Sequence, residues 1–547
     1  MLPEAKRARP AAGASFALGP GTYRVPMSLH STNRATVTAL LLASLGPQQQ
    51  EQGGVILLQG GDQLERYDTD NEPLYRQESY FHYCFGVREA GCYGCISLAD
   101  QKSYFFVPAL GRDYEIVCGR FPTPADFKAK YGVDEVRYTS ELVPWLALQL
   151  GNSGKVHVLA GGVNSDSASR YPAVVLPLPP SGEGQDALDF EAASECVRQR
   201  MDGSALYACA ADARTRKSAA EVELMRYTYA LSSAAHVEVM RATKAGVMEY
   251  QLEAKFLYHT YANGGARSAA YTCICASGPN GAVLHYGHTG RPNDRQVQEG
   301  DMMLNDMGCE YACYASDITC SYPVSGKFSP AQQIVYEAVL AAQLAVVGAM
   351  RPGTPWPEMH RLAERTMLIA LKKGGLVQGE VEEMLEHDIG AIFMPHGLGH
   401  FIGIDTHDVG GYLPGNPARS DRPGLSRLRT ARVLEQGMVI TVEPGIYFID
   451  ALLDEALAEP KRARFLVAEK LEAYRGFGGV RIEDAVLVTA EGAVSLAACP
   501  RSVAEVEAVM SGGAWPPAVD AVPQLRRTWH RLAADGASME PVAVPPA

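Results

Sequence analysis

A mixed α/β domain followed by a larger α+β domain is the fold class this chain predicts, on three observations. At 547 residues it exceeds what one hydrophobic core ordinarily serves. Short strand-like and helical runs alternate along its N-terminal part. Beyond about residue 212, strongly capped helices frame glycine-bracketed strands that carry acidic side chains and histidines. The expected boundaries are 15–196 for the first domain, 212–510 for the second, and a flexible Pro/Ala-rich tail over 511–547.

In the first domain, Val55-Ile56-Leu57-Leu58-Gln59-Gly60-Gly61 reads as a buried strand punctuated by glycines. Ser103 to Val107 and Val156 to Leu159 read the same way. Pro177-Leu178-Pro179-Pro180-Ser181-Gly182 predicts a surface loop. The second domain opens with a helix at Ser218, where Ser218-x-x-Glu221 forms a capping box, and Gly246 is expected to end it. A second helix starts at Ser329-Pro330-Ala331-Gln332 and stops near Arg351-Pro352-Gly353. A third is expected over 357–373, broken by Gly374-Gly375. From Ser511, six prolines among the last 37 residues and little periodicity predict a tail, with at most a short helix over 524–533.

Composition narrows the function classes. An apolar fraction of 47% and a charged fraction of 20% describe a soluble globular protein. A net charge of −13 argues against a nucleic-acid or anionic-membrane surface, which needs clustered cations. The first residues carry Lys6, Arg7 and Arg9 without the apolar core of a signal peptide, and no transmembrane segment is expected. The twelve cysteines, Cys92-x-x-Cys95 included, predict buried free thiols of a cytoplasmic protein.

Chemistry-capable side chains concentrate in the second domain. Asp306 and Asp317 sit in strand-like apolar runs, where a buried carboxylate is costly unless paired or bound to a metal. A hairpin would bring them together at one end. His396-Gly397-Leu398-Gly399-His400 continues to His407, its glycines suited to close backbone approach. Glu443 ends the strand Val439 to Val442 at Pro444-Gly445. Arg481 and Glu483 share one face of a strand. Taken singly, each has a structural reading: a surface strand face, a satisfied histidine, a solvated strand end, an intrastrand ion pair. Taken together, two Asp, two Glu and one His make an oxygen-rich set with a charge of −4, which matches two divalent cations. Such ligation suits Mn²⁺ or Mg²⁺, and the imidazole also admits Zn²⁺ or Co²⁺.

These segments resemble the metal-ligand motifs of the pita-bread metallopeptidases: Asp306-x10-Asp317, His396-Gly-Leu-Gly-His400, Val442-Glu443-Pro444-Gly445 and Arg481-Ile-Glu483. Similarity is greatest to the prolidase branch and extends from about residue 15 to 510. It takes in Tyr271 to Gly278, Leu284 to His288, and Arg76-Gln77-Glu78-Ser79. The resemblance implies an N-terminal domain of the aminopeptidase P type followed by a pita-bread catalytic domain, assembled as a homodimer. It implies two cations per chain, most simply Mn²⁺, held by Asp306, Asp317, His400, Glu443 and Glu483. It further implies hydrolysis of Xaa-Pro dipeptides by an attacking hydroxide, with Glu443 assisting proton transfer and His407 stabilising the oxyanion. His285 and Arg429 would hold the proline carboxylate, while Tyr271 and Arg481 line the pocket. His288 and His396 would support the ligands from behind. Asn305 and Cys309 depart from the family pattern, which commonly has Phe and Gly there. Asn305 should point away from Asp306, whereas Cys309 would crowd a turn or place an oxidisable thiol near the metals. The alternatives are an aminopeptidase P acting on longer Xaa-Pro-Yaa peptides, a non-catalytic pita-bread binding module, and metal-free creatinase-like chemistry.

Overall fold

The computed structural model describes residues 13–179 and 185–547. Lys6, Arg7, Arg9 and the Pro180-Ser181-Gly182 part of the expected loop lie outside them. The chain divides into two compact units, one formed mainly by Arg24–Arg214 and the other by Leu18–Tyr23 with Thr215–Ala547.

The first unit is built on a six-stranded mixed sheet. Its strands are β1 (Gly54–Gln59), β2 (Tyr93–Ser97), β3 (Ser103–Val107), β4 (Glu135–Tyr138), β5 (Lys155–His157) and β6 (Met201–Asp202), in the order β4-β3-β2-β1-β5-β6. β1 runs antiparallel to β2 and parallel to β5. Flanked on both sides, β1 has to be apolar on both faces, which its Val-Ile-Leu-Leu run supplies. One face of the sheet packs on Leu142, Val143, Trp145 and Leu146 of a helix spanning Leu142–Leu150. The Arg76 to Ser79 motif does structural work here. The Glu78 carboxylate accepts from the Tyr80 and Phe81 amides and so caps the helix Ser79–Phe85.

In the second unit, α1 (Ala219–Ala242) begins with the expected capping box at Ser218 and Glu221. It ends at Ala242 rather than near Gly246, because Thr243 turns extended with its hydroxyl on the Val239 carbonyl and the Tyr322 hydroxyl. α2 (Pro330–Ala349) has the predicted cap at Ser329 and Gln332. α3 (Trp356–Lys373) buries Met359, Ala363, Met367 and Leu371 at helical spacing. On length and composition α2 is apolar enough to cross a bilayer, with mean hydropathy 1.2. Half of that window is buried, and Gln343 donates to the Asp484 carboxylate at 2.9 Å, as befits a core helix.

Small antiparallel sheets carry the acidic residues. β7 (Ile274–Ser277), β8 (Met302–Asp306) and β9 (Thr319–Pro323) form one, in that order. β10 (Val439–Val442), β13 (Asp484–Thr489) and β14 (Gly492–Ser495) form another, and β11 (Gly445–Tyr447) pairs with β12 (Gly479–Arg481). Two glycines permit the closest approaches. A Cβ on Gly308 would lie 1.7 Å from the Ser316 carbonyl oxygen, and one on Gly399 would lie 1.9 Å from that of Thr441.

The expected tail is corrected. β15 (Trp529–Leu532) and β16 (Met539–Val542) form an antiparallel hairpin that lies on α1, in place of the short helix over 524–533. Widely spaced anchors (Val522, Leu525, Trp529 and Met539) are buried. Arg527 bonds Asp520 and the Glu505 carboxylate, with its guanidinium 5.0 Å from the Trp529 ring centroid. Proline and alanine dominate the composition, but these few contacts hold the segment.

The cysteines are free among the described residues. Cys309 is fully buried and held by Ser232 and Ser316, and burial pushes its thiol up to about 11. It therefore fills core space as a protonated thiol. Asn305 is buried on the strand face opposite Asp306, donating to the Tyr322 hydroxyl at 2.6 Å.

Candidate metal centre

The pairing of β8 with β9 sets Asp306 opposite Thr319, two residues beyond Asp317. Asp317 itself lies just before β9, off the regular strand. Its backbone amide donates to the Tyr229 hydroxyl at 3.1 Å. The Tyr271 hydroxyl stands 2.6 Å from a carboxylate oxygen of Asp306 and 2.6 Å from one of Asp317. A phenol has a single proton to donate, so it can satisfy only one of two acids whose mutual repulsion calls for positive charge nearby.

His400 enters from the glycine-rich segment alongside β10. Its backbone amide bonds the Thr441 hydroxyl, and Thr441 returns a bond to its carbonyl. On the ring, Nδ1 donates to the Phe401 carbonyl at 3.0 Å, which leaves the Nε2 lone pair free to ligate. Nε2 lies 3.4 Å from Asp317 and 3.6 Å from Glu443. Glu483, in the short link between β12 and β13, accepts from the Thr319 hydroxyl at 2.7 Å. One ligand atom each from Asp317, His400 and Glu483 falls within 4.8 Å of the others. Asp306 joins this trio through Tyr271, and Glu443 through His400.

The electrostatics of the cluster ask for cations. Burial first, and then the neighbouring carboxylates, push the acids of Asp317, Glu443 and Glu483 upward, Glu443 to about 7. Burial alone would lower His400, but Asp317 and Glu443 raise it. Ionised acids at this density need positive charge to stay together, and four carboxylates with one imidazole fit hard or borderline divalent ions.

Arg481 supplies part of that charge. It is 4% exposed and donates to Asp306 at 2.6 Å, to Tyr447 at 2.7 Å and to Thr319 at 3.1 Å. Burial opposes its charge, but Tyr447, Asp306, Glu483 and Glu443 hold it protonated. The polar atoms of Arg481 and Tyr271 engage the acidic residues, and the ion pair of Arg481 is with Asp306, not Glu483. His396 bonds Tyr447 through Nε2 at 3.0 Å and lies 3.8 Å from Glu443, and burial lowers its pKa to about 3. This neutral ring supports the ligands from behind. His288 does not. It is exposed on a turn and accepts the Gly290 amide.

His407 packs edge-on against His400, ring centroids 4.5 Å apart. Desolvation first, and then the charges of His400, Arg429 and His285, push its pKa down. His285 is lowered by burial and by Arg429 and Arg481. His285, His407 and Arg429 therefore share one electrostatic neighbourhood beside the acids. Sequence reasoning assigned no role to Thr319, Tyr447 or Tyr229. Thr319 was signalled only by its position two residues after Asp317; the tyrosines had no local signal.

The fold and this acidic, histidine-bearing centre define a metallopeptidase, and the chain belongs to metallopeptidase family M24. The family model matches residues 223–490, preceded by a match to the aminopeptidase P N-terminal domain over 30–158. The two domains are thus of the aminopeptidase P N-terminal and pita-bread types. Among curated relatives, the Xaa-Pro dipeptidase of Homo sapiens is 48% identical over 503 residues, covering 92% of this chain and 97% of that protein. A probable Xaa-Pro aminopeptidase of Botryotinia fuckeliana is 34% identical, covering 85% and 93% respectively. The solved aminopeptidase PepP of Pseudomonas aeruginosa superposes with a TM-score of 0.70 at 31% identity, covering 90% of this chain and 99% of its own.

Proposed function

We propose that this chain is a dinuclear Xaa-Pro dipeptidase that releases free proline. The observation that carries the reading is the convergence of Asp306, Asp317, His400, Glu443 and Glu483, linked by Tyr271 and Arg481. Greater identity to Xaa-Pro dipeptidase than to the probable aminopeptidase favours the dipeptide substrate.

The five residues would hold two divalent cations, Mn²⁺ first and Zn²⁺ or Co²⁺ as alternatives, which when bound supply Lewis acidity and lower the pKa of water. Asp306 is braced for ligation by Arg481, and Glu483 by Thr319. Glu443 is the proton carrier: its carboxylate takes a proton from the nucleophilic water and returns it to the leaving nitrogen of proline. His407 stays a neutral imidazole at physiological pH and can therefore donate an N–H to the carbonyl oxygen as negative charge grows there. Arg429, with His285, holds the terminal carboxylate, the contact that selects a substrate ending at proline. A cytoplasmic homodimer completes the proposal. The free thiols suit a reducing compartment, and sedimentation equilibrium tests the assembly.

The test is proline release from Gly-Pro and from Gly-Pro-Ala by protein of measured Mn²⁺ and Zn²⁺ content. Metal-dependent turnover of Gly-Pro at a kcat/KM above that for Gly-Pro-Ala is the expected result. Preference for the tripeptide makes the enzyme an aminopeptidase P, and a metal-free protein without turnover leaves only a binding module.

A further inference from the structure

His407 sits on loop 403–409 with its side chain exposed, and among the described contacts its ring touches only that of His400. Little on the imidazole itself fixes its place, so its backbone has to. The adjacent residue does this. The Asp408 side chain is 1% exposed, and one of its oxygens accepts from the Lys217 ammonium at 3.2 Å, whose side chain is equally buried. Its other oxygen accepts from the Val409 amide at 2.9 Å, and its own amide donates to the Phe401 carbonyl at 2.8 Å. Gly403 closes the arrangement. A Cβ there would lie 2.5 Å from the Asp408 carboxylate and 2.7 Å from Lys217 Cε.

Lys217 is itself anchored. Its amide donates to the Gly437 carbonyl at 2.7 Å, and its neighbour Ser218 caps α1. A buried ion pair is a poor device for stability, because desolvation offsets its attraction and apolar packing would do as well. What it does well is impose one geometry. Misplacing a reacting group by about 1 Å costs on the order of 100-fold in rate, so an exposed imidazole on a loop has use for such a brace.

We propose that Lys217 is a positioning residue: through its buried pair with Asp408 it fixes the backbone of His407, and so the place of that imidazole beside the metal centre. The inference rests on the role given to His407 above. It is tested with Lys217→Met, His407→Ala and the double variant, each measured for metal content, Gly-Pro kinetics and amide exchange over 403–410. In the wild-type background Lys217→Met should lower kcat by about tenfold or more, with metal content unchanged and KM little altered. In the His407→Ala background it should lower kcat no further. Equal losses in both backgrounds, or none in either, overturn the proposal. Exchange at Asp408 and Val409 should quicken by about tenfold or more; unchanged exchange also overturns it. Asp408→Asn, which keeps side-chain size and the Val409 contact, repeats every arm if Lys217→Met does not fold. If the wild-type protein releases no proline from any Xaa-Pro dipeptide, the functional reading fails, and exchange alone then decides the brace.

Discussion

Replacing Arg481 with methionine is the sharpest probe of how the acids are held together. The substitution keeps an unbranched apolar stem and removes a guanidinium that is 4% exposed and bonded to Asp306, Tyr447 and Thr319. Two unit charges about 4 Å apart attract by about 4 kcal/mol at the effective dielectric suited to protein sites. Removing one member of a buried pair costs about 3–5 kcal/mol, because the remaining charge is left uncompensated. Asp306 is that remaining charge, and three further carboxyl groups surround it. Metal-free Arg481→Met should therefore lose about 3–5 kcal/mol of unfolding free energy in urea, followed by tryptophan fluorescence. Saturating Mn²⁺ should restore a larger share of stability to the variant than to the wild type, since cations replace the missing positive charge. A metal-free variant within about 0.5 kcal/mol of the wild type would refute the reasoning, by showing that the acids are neutralised without Arg481.

Four further outcomes follow from particular contacts. Asp306→Asn removes one unit of ligand charge and should abolish Gly-Pro turnover while lowering metal content; normal turnover would contradict the assigned ligand set. Arg429→Lys should raise the KM for Gly-Pro by about tenfold or more without changing metal content, as read by steady-state kinetics and metal analysis. His30 is buried against the Tyr83 carbonyl, and burial lowers its pKa from 6.5 to about 4. The unfolded chain therefore takes up this proton first, so the contribution is complete above pH 6.5 and is lost as pH falls from 6.5 towards 4. It amounts to about 3 kcal/mol, and His30→Leu should flatten that part of a pH series of urea unfolding. Trp529→Ala should cost about 3–5 kcal/mol if the C-terminal hairpin belongs to the folded unit, whereas a change below about 0.5 kcal/mol restores the flexible tail.

Local chemistry explains what could be read in advance. The helix starts at Ser218 and Ser329 were legible because capping boxes are complete within four residues. The buried strand at Val55 was legible because a strand flanked on both sides is apolar throughout. The acids at 306, 317, 443 and 483 and the imidazole at 400 stood out as ionisable groups placed where apolar or glycine-rich backbone made them costly. Their charge of −4 already implied cations.

The sequence by itself determined the types of ligand, the charge they carry and the segments that bear them. Tertiary structure alone decided who holds those ligands and the residues beside them: Arg481 on Asp306, Thr319 on Glu483, Tyr447 on His396, Lys217 on Asp408. Each of these pairings spans 51 residues or more, and nothing in a local window records which distant partner a hydrogen-bonding side chain will find. The same reason hid the order in residues 511–547. A segment dominated by proline and alanine folds when a few large anchors meet surface prepared elsewhere, and that surface exists only once α1 and its neighbours have packed.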